Sequence, residues 1–189
     1  VKLAGMPDLS TRPVRMVFTS RAGGVSAAPY DSFNLGTHVG DNPEDVAANR
    51  SRLAGILGLP TDRFVWMEQL HTNTVTRVDA PSAVPVEATD ALVTREKDLA
   101  LCVLVADCTP VLLSDHTAGV IGAAHAGRMG ARNGIVKNTV QAMVDLGAQP
   151  SQIQVLLGPA AAGASYEVPE DMAADVEKHL PGSRTTTTR

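Results

Sequence analysis

The strongest constraint on the fold lies in residues 99–126, "LALCVLVADCTPVLLSDHTAGVIGAAHA". Its first nine residues are almost continuously apolar and predict a strand buried on both faces. "PVLLSD" and "VIGAAHA" flank the short turn "HTAG" and read as a β-hairpin, so the sheet is expected to be mixed. Other segments surround this core. Residues 14–21, "VRMVFTSR", are β-branched and aromatic and end at Gly23-Gly24, which predicts a strand followed by a long polar loop. Residues 63–71 and 73–78 read as two short strands on either side of His71, and "IQVLLGP" as a further buried strand.

Three helices carry their own punctuation. Asn42 offers a cap, Pro43 suits the first helical position, and Glu44 and Asp45 complement the dipole. Val46, Leu53, Ile56 and Leu57 keep helical spacing from there until Gly58 and Pro60. Residues 129–147 predict one helix with Val136, Val140, Met143 and Val144 on its apolar stripe. Residues 168–180 predict a last one through Met172, Val176 and Leu180. Alternating strands and helices around buried strands imply a layered α/β architecture, and 189 residues suit a single domain.

The chain is 44% hydrophobic but only 3% aromatic, so aliphatic residues must fill the core. A net charge of −4 with scattered arginines excludes a broad polyanion surface, so neither nucleic acid nor an anionic membrane is an expected partner. Nothing resembles a signal peptide or a membrane span. Cys102 and Cys108 would lie far apart along one strand face, so free thiols and a cytoplasmic location are expected.

Three apolar segments end in residues that do chemistry: His71, Asp107-Cys108 and His125. Two imidazoles and a thiolate brought to one rim suit Zn²⁺ with a fourth position left open. A buried histidine bonded to a carbonyl, or a packing cysteine, explains any one of them singly. Cys102, inside the apolar run, fits packing. His38, His116 and His179 are weaker candidates, in a loop, a hairpin turn and a helix end.

"RAGGVS", "SFNLGTHVGDNPEDVAANR", "EQLHTNTV", "ATDALVT", "VADCTPVLL", "HAG", "LLGPAA" and "YEV" occur here in an order that resembles the multicopper polyphenol oxidase (laccase-like) family. That family is also described as purine nucleoside phosphorylase or peptidoglycan editing factor. The resemblance runs from about residue 15 to 168. It implies a four-layer α/β/β/α fold with mixed sheets and a zinc ion held by His71, Cys108 and His125, with copper as the alternative metal. It further implies phosphorolysis of adenosine, inosine and methylthioadenosine, and deamination of adenosine.

On that basis the expected partners are purine nucleosides and phosphate. Cys108 and Asp107 are the catalytic candidates, with Asp107 orienting a ligand or relaying a proton. Arg21, Asn34, Arg50 and Arg128 are candidates for substrate or phosphate contact, helped by backbone N–H groups at Gly23-Gly24. "HAGRMG" departs from the family's usual "HAGWRG", with Arg128 in the tryptophan's place and Met129 in the arginine's. The family also continues beyond the point matching "RTTTTR", so a C-terminal segment is expected to be lacking from this catalytic domain. Two other activities compete: a cysteine-dependent amidase editing peptidoglycan precursors, and a laccase-like copper oxidoreductase. The latter needs many more imidazoles than the five histidines present.

Overall fold

A computed structural model of the chain describes residues 14–185. Four helices and seven strands follow in the order α1 (Pro43–Leu57), β1 (Phe64–Val65), β2 (Val75–Arg77), β3 (Ala91–Thr94), β4 (Ala100–Leu101), β5 (Thr109–Asp115), β6 (Val120–Ala126), α2 (Arg128–Arg132), α3 (Ile135–Asp145), β7 (Gln154–Leu157) and α4 (Glu170–His179). Five strands form one mixed sheet in the order β2-β3-β6-β5-β7, and β1 pairs with β4 in a second, two-stranded sheet. Within the larger sheet β2 and β3 are parallel and the other pairs antiparallel.

Strand periodicity sorts the side chains into layers. Ala91 and Val93 of β3 face α3, packing with Val111, Leu113, Ile135 and Met143. Leu92 between them points the other way and meets Val65 and Met67 from the chain at β1. Phe64 and Trp66 alternate with those two and pack against Leu53 and Ala54 of α1. The order is therefore α3, five-stranded sheet, two-stranded sheet, α1, which is the four-layer arrangement the resemblance implied. Leu92 and Leu113, at 0% and 1% exposure, each contribute roughly 1.5–3 kcal/mol through burial.

The hairpin of residues 109–126 forms as expected, and Asp115 closes it by accepting from the amides of Thr117 and Ala118, both at 2.9 Å. Helix α1 also starts and stops where expected: Asn42 accepts from the Glu44 amide and Gly58 ends it with φ 69°. Both cysteines are free. Other expectations are corrected. Residues 14–21 belong to no strand ladder, because no neighbouring backbone edge pairs with them. The apolar run at 99–107 forms a ladder only at Ala100–Leu101 and is half-buried at 101–104, since it has a strand partner on one side alone. β7 is an edge strand, with Val155, Leu156 and Leu157 exposed.

The expected helix at 129–147 is two helices, interrupted at Asn133-Gly134, where Gly134 adopts φ 84°. The buried stripe of α3 runs through Ile135, Thr139 and Met143, one residue off the expected line. Thr139 is tolerated there because its hydroxyl donates to the Ile135 carbonyl at 2.8 Å.

Asn49 occupies the buried face of α1 beside Val46 and Leu53. Its Oδ1 accepts from the Val25 amide at 3.0 Å, and its Nδ2 serves Ser26 Oγ, Ser32 O and Asn34 O at 2.9, 3.1 and 2.9 Å. One amide thus ties the long loop to the helix. Asn49→Ala is expected to cost about 3 kcal/mol in denaturant unfolding, because it strands several partners at once. A second expectation concerns acid. The bonds from the amides of Ala118 and Gln149 hold the Asp115 carboxyl below its usual range. A lowered carboxylate stabilises the fold fully above its unfolded value, near pH 4, and loses that contribution as pH falls through the folded value. Asp115→Asn should therefore flatten the acid limb of a stability–pH curve measured by urea unfolding.

Candidate metal centre

Strand register assembles the site. β3 and β6 pair Ala91 with Ala124, so the next positions, Asp90 and His125, fall opposite each other. β5 and β6 pair Thr109 with Ala126, so Cys108 lies across from Gly127. The bend at residues 70–72, between β1 and β2, brings His71 over the same end of the sheet. One ligand atom from each of His71, Cys108 and His125 lies within 4.8 Å of the others. The imidazoles meet edge to face with centroids 4.7 Å apart, and Cys108 Sγ is 3.8 Å from His71 Nε2. The expected strand-end geometry needs amendment: only His125 lies in a strand, while Cys108 precedes β5 and His71 sits in a bend.

The three residues grade from exposed His71 through half-buried Cys108 to buried His125. Their donor set, two imidazole nitrogens and a sulfur at close quarters, fits a borderline-soft divalent ion with an open side toward solvent. Burial pushes the Cys108 thiol up, and the charge of Asp107 pushes it further. That setting opposes the electropositive surroundings of a nucleophilic cysteine.

Asp90 is the residue that the sequence reading passed over. Its side chain is fully buried and approaches His125 Nδ1 at 2.8 Å. Oδ1 also accepts from the His71 amide at 3.0 Å, and Oδ2 from the amides of Thr72 and Leu70 at 2.7 and 3.2 Å and the Thr72 hydroxyl at 2.8 Å. Burial alone would raise its pKa, but the bonds from His125, Thr72 and Leu70 hold it below the usual carboxylate value. The available signal was a Thr-Asp pair placed directly before the apolar strand at 91–93. Gln69 was missed as well. Its amide accepts from the Leu104 amide at 2.9 Å and donates to the Leu104 carbonyl at 2.7 Å, imitating a strand partner for the arm that leads to Cys108.

His71, Cys108 and His125 open on a cleft of ≈ 1810 Å³ between the two sheets, also lined by Arg21, Asn34, His38, Arg50, Trp66 and Asp107. Arg50 is half-buried, stacks on Trp66 at 3.8 Å and donates from Nε to Leu35 O at 2.9 Å. Arg21 is exposed and engaged with Asp31 through its carbonyl and carboxylate. Asn34 is bonded to Gly36 and Asp41 within its own loop. The amides of Gly23 and Gly24 both donate to Ser32 Oγ at 3.0 Å, so they are not open to an anion. Arg128 opens α2, contacts Met129 Sδ at 3.3 Å and lies outside the cleft lining, its charge felt at Asp175. Asp107 is exposed beside Cys108. Glu68 faces Ala88, whose amide it accepts at 3.0 Å.

Gly127 explains the "HAG" triplet. A Cβ there would lie 2.8 Å from His71 Cδ2 and 3.0 Å from Cys108 Sγ. Gly127→Ala is expected to spread the two side chains and weaken Co²⁺ or Zn²⁺ uptake about tenfold or more, read by chelator competition.

Comparison with known proteins identifies the family. The family model described as multi-copper polyphenol oxidoreductase laccase matches residues 15–189. A protein of Corynebacterium glutamicum named purine nucleoside phosphorylase is 65% identical over 184 residues, covering 96% of this chain and 75% of that one. Another so named, from Streptomyces coelicolor, is 52% identical over 88% of this chain and 69% of its own length. The crystal structure of YlmD from Geobacillus stearothermophilus superposes with a TM-score of 0.82 at 34% identity, over 88% of this chain and 65% of that one. The chain thus spans about two thirds of the length of that structure. With this match along nearly all of its described residues, the chain belongs to the multi-copper polyphenol oxidoreductase (laccase-like) family.

Proposed function

We propose that this chain carries the metal centre of a zinc-dependent purine nucleoside phosphorylase. Its substrates would be adenosine, inosine and methylthioadenosine with phosphate, and it would also deaminate adenosine to inosine. The observation that carries the reading is the convergence of His71, Cys108 and His125 within 4.8 Å on the wall of the cleft. The names of the Corynebacterium and Streptomyces relatives support it. When bound, zinc supplies Lewis acidity to an oxygen of substrate or water.

The chain's own residues supply position and charge. In phosphorolysis a phosphate oxygen forms a bond to ribose C1′ as the glycosidic C–N bond breaks, and the purine leaves with the electron pair and is protonated. Developing charge on phosphate and base calls for fixed cations and a proton-handling group at the cleft. Arg50 suits the first role best among the proposed contacts, because Trp66 and Leu35 O hold its guanidinium in place on the cleft wall. Arg21 and Asn34 would contribute from the same wall, and Arg128 only by turning from its contact with Met129. Asp107, exposed next to Cys108, is the proposed proton relay.

Cys108→Ala should lower zinc content and cut phosphate-dependent cleavage of adenosine by more than about 100-fold, since removing a ligand exceeds the effect of disturbing its support. Full zinc content together with full phosphorolysis in that variant would overturn the reading. The paired measurements are elemental analysis and chromatographic release of adenine.

A further inference from the structure

We propose that Asp90 is the positioning residue of the metal centre, one buried carboxylate that sets the tautomer of His125 and the backbone of His71 together. The inference rests on the zinc reading above and adds to it a residue that touches neither metal nor substrate.

Two independent sets of contacts meet at Asp90. On one side the antiparallel register delivers His125 to it: the His125 amide donates to the Asp90 carbonyl at 2.7 Å, and the ring Nδ1 lies 2.8 Å from Oδ1. The two side chains are 4% and 0% exposed, so water does not compete for this contact. A carboxylate oxygen only accepts, so the ring proton belongs on Nδ1. The lone pair then lies on Nε2, the nitrogen left to face His71 and Cys108. The opposite tautomer would set two lone pairs against each other at hydrogen-bond distance.

On the other side, the amides of Leu70, His71 and Thr72 all converge on the same carboxylate. That convergence bends the chain so that His71 adopts φ 61°, a left-handed conformation that residues with a Cβ disfavour. The bend places the His71 ring edge against His125 and its Nε2 near Cys108 Sγ. A residue serving only as a turn cap would need the amides and not the imidazole. Asp90 has both.

Asp90→Asn disturbs both roles at the Oδ1 position. With the Asn oxygen kept on the amides of residues 70 and 72, its NH₂ faces the His71 amide, which loses its acceptor, and His125 Nδ1, which shifts the ring proton to Nε2 and removes that nitrogen as a ligand. The test measures zinc affinity of the full chain by competition with a chromophoric chelator, alongside ¹⁵N-histidine NMR of the imidazole nitrogens. The expected result is a ten- to hundredfold weaker zinc affinity in Asp90→Asn, with the His125 proton moved from Nδ1 to Nε2. Wild-type affinity in that variant overturns the proposal. Should Asp90→Asn not fold, the wild-type spectrum decides: a proton fixed on His125 Nδ1 supports the proposal, and one on Nε2 overturns it. Wild-type protein that takes up zinc without cleaving nucleosides overturns the functional reading alone and leaves the role of Asp90 standing.

Discussion

The buried contact between Asp90 and His125 is where fold and site become one object. Asp90 stands directly before β3 and His125 is the penultimate residue of β6, and antiparallel pairing sets them opposite each other. The same ladder carries the core of the larger sheet, with Ala91, Val93, Val120 and Ala124 packed against α3. A slip of one residue would turn every one of these side chains to the wrong face and separate the carboxylate from the imidazole. Hydrophobic burial, which rejects that slip, therefore also protects the geometry of the candidate ligands.

The remaining ligands depend on less regular structure. Cys108 arrives on an arm whose ladder to β1 ends at Leu101, and Gln69, farther along the β1 segment, continues that pairing by bonding the Leu104 backbone with its side-chain amide. His71 arrives on a bend held by three amide bonds to Asp90. Gly127 leaves the space that both side chains enter. Rigid β-ladder, side-chain mimicry of a ladder and a strained bend each deliver one ligand, which accounts for the gradient from buried His125 to exposed His71.

The family's description speaks of copper oxidation, whereas relatives matching most of this chain are named as nucleoside phosphorylases. The histidines speak to the difference. Of five in the sequence, His71 and His125 meet. His116 pairs with Ser114 and His179 with the Asp175 carbonyl, and His38 stands in a loop on the cleft wall. A cluster of several coppers needs many imidazoles in one place. Among the described residues two imidazoles and one thiol meet at one point, a donor set matched to one ion and not to a cluster of several.

The hairpin and the caps of α1 were legible in the residue order, because each depends on local chemistry: alternating apolar residues around a turn, and an Asn-Pro start. His71, Cys108 and His125 stood out there as reactive residues that interrupt apolar runs, but it was the family resemblance that joined them into one ligand set. Strand length at 99–107, the exposure of β7 and the split of α2 from α3 were not legible. They depend on which neighbour a strand finds and on where a single glycine takes positive φ. Asp90 belongs to the same class. By itself the sequence determined which donor atoms the chain can offer and roughly which segments carry them. Only the tertiary structure decided that a carboxylate far from each histidine in the chain, and not the Asp107 adjacent to the cysteine, holds both, because strand register rather than sequence proximity selects the neighbours of a buried group.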